Sequence, residues 1–295
     1  MNKIYLAIPY SHEQKEIMER RFAFVTRYAA CIASSEVLPF SPITHSHEMA
    51  KHGDLPRTWD FWRTQDIPFL DWADELRVLQ AEGHNDSEGV NSEIQYWMEK
   101  KSDFPTTFLD PLETTCVNVV GISGRKRCGK DTAADILCEE YGYEKYSFAD
   151  PIKSACREIF GFDDDQLYGS KKEDPDSYWG FSPREAMQVF GTDSFRDHFG
   201  SDIWVRRLFQ RLRLWLPRRA VIPDVRFPNE VEAIQNIGGR VIRIDASVRL
   251  GSDDTHPSES SLSSYDGFDH TIDNNGTEQQ FKERIKQYFS DFHES

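Results

Sequence analysis

The sequence has few cysteines and no long apolar run. Its five cysteines, among 295 residues, form no CxxC pair, which favours reduced thiols over a disulfide framework and predicts a cytosolic protein. No stretch reaches the roughly 18 consecutive apolar residues that a membrane-spanning helix requires, and the chain starts without a charged leader and apolar segment. We therefore expect neither a disulfide-stapled secreted protein nor a membrane protein.

Basic residues are too few to balance the acidic ones. Lys and Arg total 35 against 50 Asp and Glu, a net charge of -15, which repels a polyanion over most of the surface. A reader of duplex nucleic acid is therefore not expected. Small phosphorylated ligands remain compatible with this charge, because a few arginines and backbone amides create a local positive site.

Short apolar runs alternate with helical periods, a pattern typical of α/β proteins with mainly parallel sheets. The first series has predicted strands at residues 4–8, 37–40, 75–79 and 106–109. Its long helix, residues 13–34, is predicted to turn Arg20 and Arg21 away from the buried face. A second series has predicted strands at residues 117–122, 145–148, 220–223 and 240–244, and a closing helix at 278–289. We predict two α/β domains, residues 1–112 and 113–295, joined by a short linker.

A glycine-rich turn follows the first strand of the second series. The segment from Gly124 to Lys130 fits the phosphate loop GxxxxGK, although Asp131 stands where Ser or Thr is usual and Thr132 follows it. Glycines let backbone amides wrap phosphate oxygens, and Lys130 reaches the β- and γ-phosphates of ATP. The predicted ATP and Mg²⁺ site comprises Gly124, Arg127, Gly129, Lys130, Asp131 and Thr132, with Asp131 and Thr132 at the metal. A chance Gly-Lys turn is the alternative.

Charged residues further along the chain suit a second, acceptor phosphate. Asp150 follows a predicted strand, where it is expected to orient that phosphate or to hold Mg²⁺ through water. The alternative is that it caps the helix after Pro151. Guanidinium groups clamp phosphates in bidentate fashion. The candidate clamps are Arg184, Arg196, Arg206 and Arg226.

The second half of the chain resembles the deoxynucleoside monophosphate kinases of tailed bacteriophages. The resemblance rests on the Gly-Lys-Asp-Thr ending of the phosphate loop and on residues 147–153, 184–188, 191–192, 196, 204, 224–230 and 256–259. It implies a phosphate-loop nucleoside monophosphate kinase fold, ATP and Mg²⁺ as cofactors, and a phage-encoded enzyme of the host cytoplasm. Lys130, Asp150 and Arg226 would be catalytic.

The same resemblance implies an acceptor site. Its expected residues are Asp150, Lys153, Arg184, Gln188, Arg196, Trp204, Asp224, Arg226 and Glu230. Gln188 would hydrogen-bond the base and Trp204 would stack on it, although Trp204 is equally suited to the core. Residues 247–267, rich in Ser, Asp and Gly, are expected to form a lid that closes over bound nucleotides.

One segment of the first half suits a nucleotide by its chemistry alone. Residues 86–93 open a helix after a predicted strand, and such a turn presents amides and the Ser87 hydroxyl to an anion. Glu93, placed in the first turn, would stay ionised beside the helix dipole and serve as a nucleophile. The alternative is an ordinary capping box with Ser87 or Asp86 as the cap.

This half resembles the nucleoside 2-deoxyribosyltransferase superfamily, which includes hydrolases of deoxynucleoside 5′-monophosphates. The resemblance rests on residues 5–11, 20, 41–45, 66, 74 and 87–93; Ile8 departs from the glycine of many members. It implies a Rossmann-like parallel sheet with Glu93 as nucleophile and Asp74 as its assistant. It also implies nucleotide-binding residues, namely Tyr5, Ser11, Arg20, His45, Ser87, Gly89 and Glu93.

The sequence thus predicts a kinase that phosphorylates one deoxynucleotide and hydrolyses the glycosidic bond of another. Transfer to a second base, a catalytically silent first domain and an NTPase switch are the alternatives. His45, His47 and His52 lie close together, but without a Cys or carboxylate pattern they do not predict a metal site. Because the superfamily often completes its site across a dimer, a homodimer is expected.

Overall fold

The computed structural model describes residues 1–56, 58–250 and 261–294. It divides the chain into two compact units. The first comprises Met1–Asn118 and Phe209–Arg218, and the second comprises Val119–Leu208 and Arg219–Ser295. The first unit therefore ends at residue 118, beyond the expected boundary at residue 112. It also includes residues 209–218, which are distant in sequence.

The first unit is built on a sheet of four parallel strands. The strands are β1 (Asn2–Ala7), β2 (Val37–Phe40), β3 (Glu75–Leu79) and β4 (Thr106–Leu109), in the order β2-β1-β3-β4. Its helices are α1 (Lys15–Ile32), α2 (Pro42–Gly53), α3 (Trp59–Trp72) and α4 (Glu88–Lys100). The central strand β1 is buried from Ile4 to Ala7, as a parallel strand covered on both faces must be.

The predicted orientation of one arginine is wrong. Arg21 is buried on α1 together with Ile17, Phe24 and Val25. Arg20 lies on the other side of the helix, where its guanidinium donates to the carbonyl of Trp215 at 3.2 Å. Arg213 donates to Asp110 at 3.1 Å. These contacts fasten residues 209–218 to the first unit.

The second unit contains a five-stranded sheet. Its strands are β5 (Asn118–Ser123), β6 (Glu144–Lys145), β7 (Arg219–Val225), β8 (Arg240–Asp245) and β9 (His270–Asp273), in the order β6-β7-β5-β8-β9. The pairs β5–β8, β6–β7 and β8–β9 are parallel. Gly121 lies mid-strand because a Cβ there would come within 2.9 Å of Ile234 and Val225 side chains.

Helices cover this sheet and extend from it. They are α5 (Lys130–Tyr141), α6 (Asp150–Phe160), α7 (Asp164–Leu167), α8 (Pro183–Gln188), α9 (Phe195–Phe199), α10 (Ile203–Trp215), α11 (Pro228–Asn236), α12 (Ser247–Leu250) and α13 (Glu278–Glu294). A π-helical turn, Val189–Ser194, joins α8 to α9. In the described residues, no helix is both long and apolar enough to cross a bilayer.

The strand predicted at residues 145–148 is shorter than expected. The Tyr146 amide still donates to the Val221 carbonyl of β7 at 2.9 Å, but the amides of residues 148 and 149 bond to a side chain instead of a neighbouring strand. The carboxylate of Asp224 accepts hydrogen bonds from the amides of Phe148 at 3.1 Å and Ala149 at 3.0 Å. The strand β9 was not predicted.

Candidate functional sites

The phosphate loop lies between β5 and α5, as its sequence predicts. Gly124 has φ 142° and Gly129 has φ 103°, conformations that disfavour any other residue. A Cβ at Gly124 would lie 2.6 Å from both Cys128 Sγ and the Ile244 carbonyl. The loop is therefore a close-fitting turn that requires glycine at both positions.

Lys130 is folded over this loop. Its Nζ donates to the carbonyls of Gly124 at 2.6 Å and Arg125 at 2.7 Å, which places the ammonium group at the mouth of the turn. Asn274, directly after β9, donates to the Cys128 carbonyl at 2.8 Å and so holds the loop near Gly129. The loop and its lysine are thus held in a geometry suited to a polyphosphate.

The predicted metal residues begin α5. Asp131 is exposed in its first turn, and Thr132 is half-buried beside it. Across the described residues, no group of three or more His, Cys, Asp and Glu side chains is arranged to hold a metal. These oxygen donors fit Mg²⁺ that is held mostly by phosphate oxygens and water, the usual mode for this ion at nucleotide sites.

The expected acceptor residues line a cavity in the second unit. Every one of them except Asp150 lines it, namely Lys153, Arg184, Gln188, Arg196, Trp204, Asp224, Arg226 and Glu230. They come from α6, α8, α9, α10, α11 and the end of β7. The π-helical turn also contributes Gly191 and Thr192 to the wall, and such turns often occur at functional sites.

Arg226 connects this cavity with the phosphate loop. It lines the acceptor cavity and also a smaller one formed by Gly124, Arg125 and Arg243. A guanidinium group between two phosphate sites can neutralise charge as a phosphoryl group moves from one to the other. This placement makes Arg226 the strongest candidate for that role.

Two carboxylates shape the cavity through internal bonds. Asp224 accepts from Ser147 Oγ at 2.6 Å as well as from the two amides described above. Glu230 accepts from the amides of Arg226 at 2.7 Å and Phe227 at 3.1 Å, and it pairs with Arg196. Burial raises the pKa of Glu230 to about 7, whereas Arg196 favours its ionised form. Both carboxylates position neighbouring groups.

Arg196 and Trp204 are similarly engaged. The Arg196 guanidinium lies 3.9 Å from the centre of the Phe227 ring and donates to the Ser201 carbonyl at 2.7 Å. Trp204 is buried, and its indole N–H donates to the Gly191 carbonyl at 2.8 Å. Trp204 therefore belongs both to the core and to the cavity wall.

Two residues proposed for the acceptor site lie outside the cavity. Asp150 is the first residue of α6, which has Ala149 as its N-cap, so Asp150 is neither the cap nor part of the lining. Arg206 is exposed and pairs with Asp202 at 3.2 Å. Within the expected lid at 247–267, residues 251–260, including the motif at 256–259, lie outside the described residues.

A second cavity, of about 370 Å³, lies in the first unit at the carboxyl ends of β1, β2 and β3. Ligands of open parallel sheets bind at this edge, and pockets for small molecules begin at about 300 Å³. Ser11, Ser87, Gly89 and Glu93 line it as predicted, together with Trp59 and Trp62. Ser87 also caps α4, since its Oγ accepts from the Val90 amide at 3.4 Å.

Glu93 is the central acidic group of this cavity. The Tyr5 hydroxyl donates to its Oε1 at 2.7 Å, and Asp66 of α3 also lines the cavity. Burial raises the pKa of Glu93 to about 8 and that of Asp66 to about 7. The expectation that a helix dipole keeps Glu93 ionised is therefore wrong, because α4 begins at Glu88 and Glu93 lies beyond its first turn.

Asp74 and Arg20 are not part of this cavity. Asp74 directly precedes β3, so it lies at the amino edge of the sheet, where it accepts from the Lys3 amide at 3.1 Å. Arg20 donates to Trp215 as described. Asp66 and Arg21 line the cavity instead. Parallel strands place their carboxyl ends at one edge only, which excludes a residue that precedes a strand.

Arg21 joins two loops of the cavity. It donates to the Ser11 carbonyl at 3.0 Å and to the Glu82 carbonyl at 2.7 Å. Its Nε is buried, and no hydrogen-bond partner in the described part of the chain engages it. Arg21 therefore fixes the loops after β1 and β3 relative to each other.

The histidines serve other roles. His47 is buried, with Nδ1 2.8 Å from the Tyr10 hydroxyl and Nε2 3.1 Å from Glu19. Tyr10 lines the cavity, so His47 orients a wall residue. His45, predicted to bind nucleotide, does not line the cavity, and its ring lies 6.1 Å from that of Phe40.

Comparison with known proteins assigns the second unit. Residues 118–176 and 168–285 match the family model described as "Deoxynucleotide monophosphate kinase". The chain belongs to the deoxynucleotide monophosphate kinase family. Residues 2–104 match "Domain of unknown function (DUF1937)".

Viral kinases are among the relatives of this family member. It is 40% identical to a putative deoxynucleotide monophosphate kinase of Acanthamoeba polyphaga mimivirus, over 57% of this chain and 93% of the relative. It is 25% identical to the deoxynucleotide monophosphate kinase of Enterobacteria phage T4, over 58% and 98%. Among solved structures it is similar to a dephospho-CoA kinase from Campylobacter jejuni, with 15% identity, a TM-score of 0.33, and coverage of 60% of this chain and 97% of that one.

Sequence reasoning missed three residues at the sites of this kinase family member. Lys172 lines the acceptor cavity, and Asp66 and Arg21 line the cavity of the first unit. Asp66 belongs to the quoted deoxyribosyltransferase pattern. Asp74 directly precedes a predicted strand and so lies at the amino edge of the sheet, which would have favoured Asp66 as the residue at the site. Lys172 stands in a polar segment without any distinguishing motif.

Proposed function

We propose that the second unit transfers the γ-phosphoryl group of ATP to the phosphate of a deoxynucleoside monophosphate. The observation that carries this proposal is the position of Arg226, which lines both the acceptor cavity and the cavity beside the phosphate loop. The family model supports the same reaction.

Different residues would bind the ATP phosphates and the acceptor phosphate. Amides of residues 124–129 and the Lys130 ammonium bind the ATP phosphates, while Lys153, Arg184 and Arg226 bind the acceptor phosphate. An acceptor oxygen attacks the γ-phosphorus as the bond to the β-phosphate oxygen breaks, and Arg226 neutralises charge on the transferred group. Thr132 would hold Mg²⁺, which screens the charge of the β- and γ-phosphates.

Positioning residues support these contacts. Glu230 binds the Arg226 amide and Arg196, so it fixes the turn that presents Arg226. Asp224 holds the amides of residues 148 and 149 and so the start of α6, which presents Lys153. A rigid cavity wall of this kind reduces the reorganisation required at the moment of transfer.

The test is a phosphoryl-transfer assay. The full chain is incubated with each common deoxynucleoside monophosphate, ATP and Mg²⁺, and diphosphate products are separated by ion-exchange chromatography. Modified monophosphates extend the panel. Formation of ADP without any deoxynucleoside diphosphate would favour an NTPase switch instead.

For the first unit we propose cleavage of the N-glycosidic bond of a deoxynucleoside 5′-monophosphate. The supporting observation is a buried carboxyl pair, Glu93 and Asp66, in a nucleotide-sized cavity at the carboxyl edge of a parallel sheet. Glu93, oriented by Tyr5, attacks C1′ as the bond to the base breaks, and protonated Asp66 gives its proton to the leaving base. Water then attacks C1′, its proton passes to Asp66, and Glu93 is released.

The carboxyl pair must hold one proton for this chemistry. The pKa values of about 8 for Glu93 and about 7 for Asp66 place the titration of the pair near neutrality. The higher value favours the proton on Glu93 in the resting pair, and the reactive state is the one with the proton on Asp66. Positive charge that develops on the sugar favours the state in which Glu93 is ionised. Hydrolysis should therefore have a pH optimum between the two titrations of the pair.

Chromatographic detection of free base tests this second activity. Each deoxynucleoside monophosphate is incubated without ATP, with wild-type protein and with Glu93→Ala. Base release that persists in Glu93→Ala argues against Glu93 as nucleophile. If neither protein releases base from any substrate, the first unit is a silent binding module.

A further inference from the structure

The cavity of the second unit is lined by a cluster of cations. Lys153 belongs to α6, Arg184 to α8, and Arg226 follows β7, while Lys172 lies on the short helical turn Ser170–Glu173. The four side chains come from different parts of the fold. Lys172 is the member that the proposed mechanism does not use.

Lys172 differs from its neighbours in how its ammonium group is engaged. Arg184 lies 3.4 Å from Glu173, and Lys171 lies 3.3 Å from Asp165. Over the described ranges, no hydrogen bond or ion pair engages the Lys172 ammonium. Burial, and then the charges of Lys153, Arg184 and Arg226, lower the pKa of Lys172 to about 8.

The acidic groups of the cavity do not compensate this charge. Glu230 is paired with Arg196, and Asp224 accepts from Ser147 and two backbone amides. Glu173, next to Lys172 in the chain, favours the charged lysine but is shared with Lys126 and Arg184. Burying a cation near other cations is unfavourable in free energy. An anion that enters the cavity would therefore interact favourably with Lys172, because no acidic side chain neutralises the lysine fully.

We propose that Lys172 is a phosphate-binding residue of the acceptor site, where its ammonium group contacts the phosphate of the deoxynucleoside monophosphate before transfer. The inference rests on the proposed kinase function and extends it by one residue. The bound dianion stabilises the charged lysine, so acceptor binding at pH 8 and above draws a proton onto Lys172. Deprotonation of Lys172 should therefore cause the fall in acceptor affinity at high pH.

The role has a consequence for stability that a structural lysine would not show. Because Lys172 repels its neighbours in the absence of phosphate, Lys172→Met should raise the melting temperature of the ligand-free protein while weakening acceptor binding. Residues selected for binding often carry such a cost to stability. A lysine that supported the fold would lower the melting temperature on substitution.

The matched control is Lys171→Met. Lys171 is adjacent in the chain, exposed and paired with Asp165, so it shares the segment and charge but not the cavity. In kinase assays with the best acceptor, we expect Lys172→Met to raise the acceptor KM roughly 10- to 100-fold and to leave the ATP KM unchanged. Lys171→Met should leave both unchanged. An unchanged acceptor KM in Lys172→Met overturns the proposal.

Lys172→Arg provides a second, independent readout. Arginine stays protonated at all accessible pH values. We therefore expect kcat/KM of wild type to fall as pH rises through about 8, and Lys172→Arg to bind the acceptor without this fall. An alkaline limb that persists unchanged in Lys172→Arg contradicts the assignment.

Calorimetric titration separates this inference from the kinase proposal. Each common deoxynucleoside monophosphate is titrated into the full chain at pH 7 without ATP. Binding to wild type and Lys171→Met, with strongly reduced binding to Lys172→Met, supports Lys172. Equal binding by all three proteins overturns the role of Lys172 alone, whereas no binding to wild type overturns the acceptor site itself.

Discussion

The Tyr5 hydroxyl donates a hydrogen bond to Glu93 Oε1 at 2.7 Å, and both side chains are buried. Tyr5 lies in the central strand β1, whereas Glu93 lies on α4. The bond favours ionised Glu93, but burial and the charge of Asp66 oppose it and raise the pKa of Glu93 to about 8. The first unit therefore maintains a carboxyl group that titrates near neutral pH, a property typical of reactive sites.

Lys130→Ala is expected to abolish phosphoryl transfer and spare the fold. The substitution removes the charge at the mouth of the phosphate loop, and preorganised contacts of this kind contribute about 10²- to 10³-fold in kcat. Diphosphate formation measures the loss, and circular dichroism checks the fold. Lys145→Ala, which removes an exposed lysine paired with Asp135, serves as the control. Wild-type turnover in Lys130→Ala would refute the assignment of this loop.

Asp66→Asn and Asp74→Asn are expected to behave differently. Asp66 lines the cavity of the first unit, whereas Asp74 lies at the opposite edge of its sheet. Loss of a general acid typically costs about 10²- to 10⁴-fold, so Asp66→Asn should reduce base release by this order and Asp74→Asn should leave it unchanged. Both should retain kinase activity. The reverse order of effects would restore Asp74 as the assisting residue.

The stability of the first unit should fall as pH rises from about 4 to about 8. Glu93 and Asp66 have folded-state pKa values of about 8 and about 7, above the values of about 4 for unfolded chains. The folded state thus binds their protons more tightly than the unfolded state does. This tighter binding stabilises the folded state at low pH, and the stabilisation is lost as pH rises to the folded-state pKa values.

Glu93→Gln isolates this effect because glutamine does not titrate. As pH rises from 5 to 9, the unfolding free energy of wild type should fall relative to that of Glu93→Gln, by on the order of a few kcal/mol. Urea titrations at several pH values measure it. Parallel pH profiles for the two proteins would show that burial does not perturb Glu93.

Glu230→Ala is expected to destabilise the second unit by about 3–5 kcal/mol, because it leaves the Arg196 charge buried without its carboxylate partner. Adding Arg196→Ala should recover part of that loss. A double-mutant cycle by urea unfolding measures the coupling, which is about 0.5–3 kcal/mol for residues in contact. Additive effects of the two substitutions would mean that the pair does not interact energetically.

Local sequence signals determined much of the architecture. The strands at residues 37–40, 75–79 and 106–109 have the predicted bounds, because short apolar runs between turn residues identify parallel strands. The phosphate loop could be recognised since its glycines, with φ 142° and 103°, satisfy a backbone requirement confined to a few neighbouring residues.

The tertiary structure alone decided which side chains meet. Asp66 and not Asp74 lines the cavity that contains Glu93, because the carboxyl ends of parallel strands share one edge of the sheet. Lys172 reaches the acceptor cavity through a turn without periodicity or motif. Such placements depend on how distant segments pack, and pKa values follow from the resulting burial. Periodicity and turn chemistry report only on local conformation, so they carried no information about these contacts.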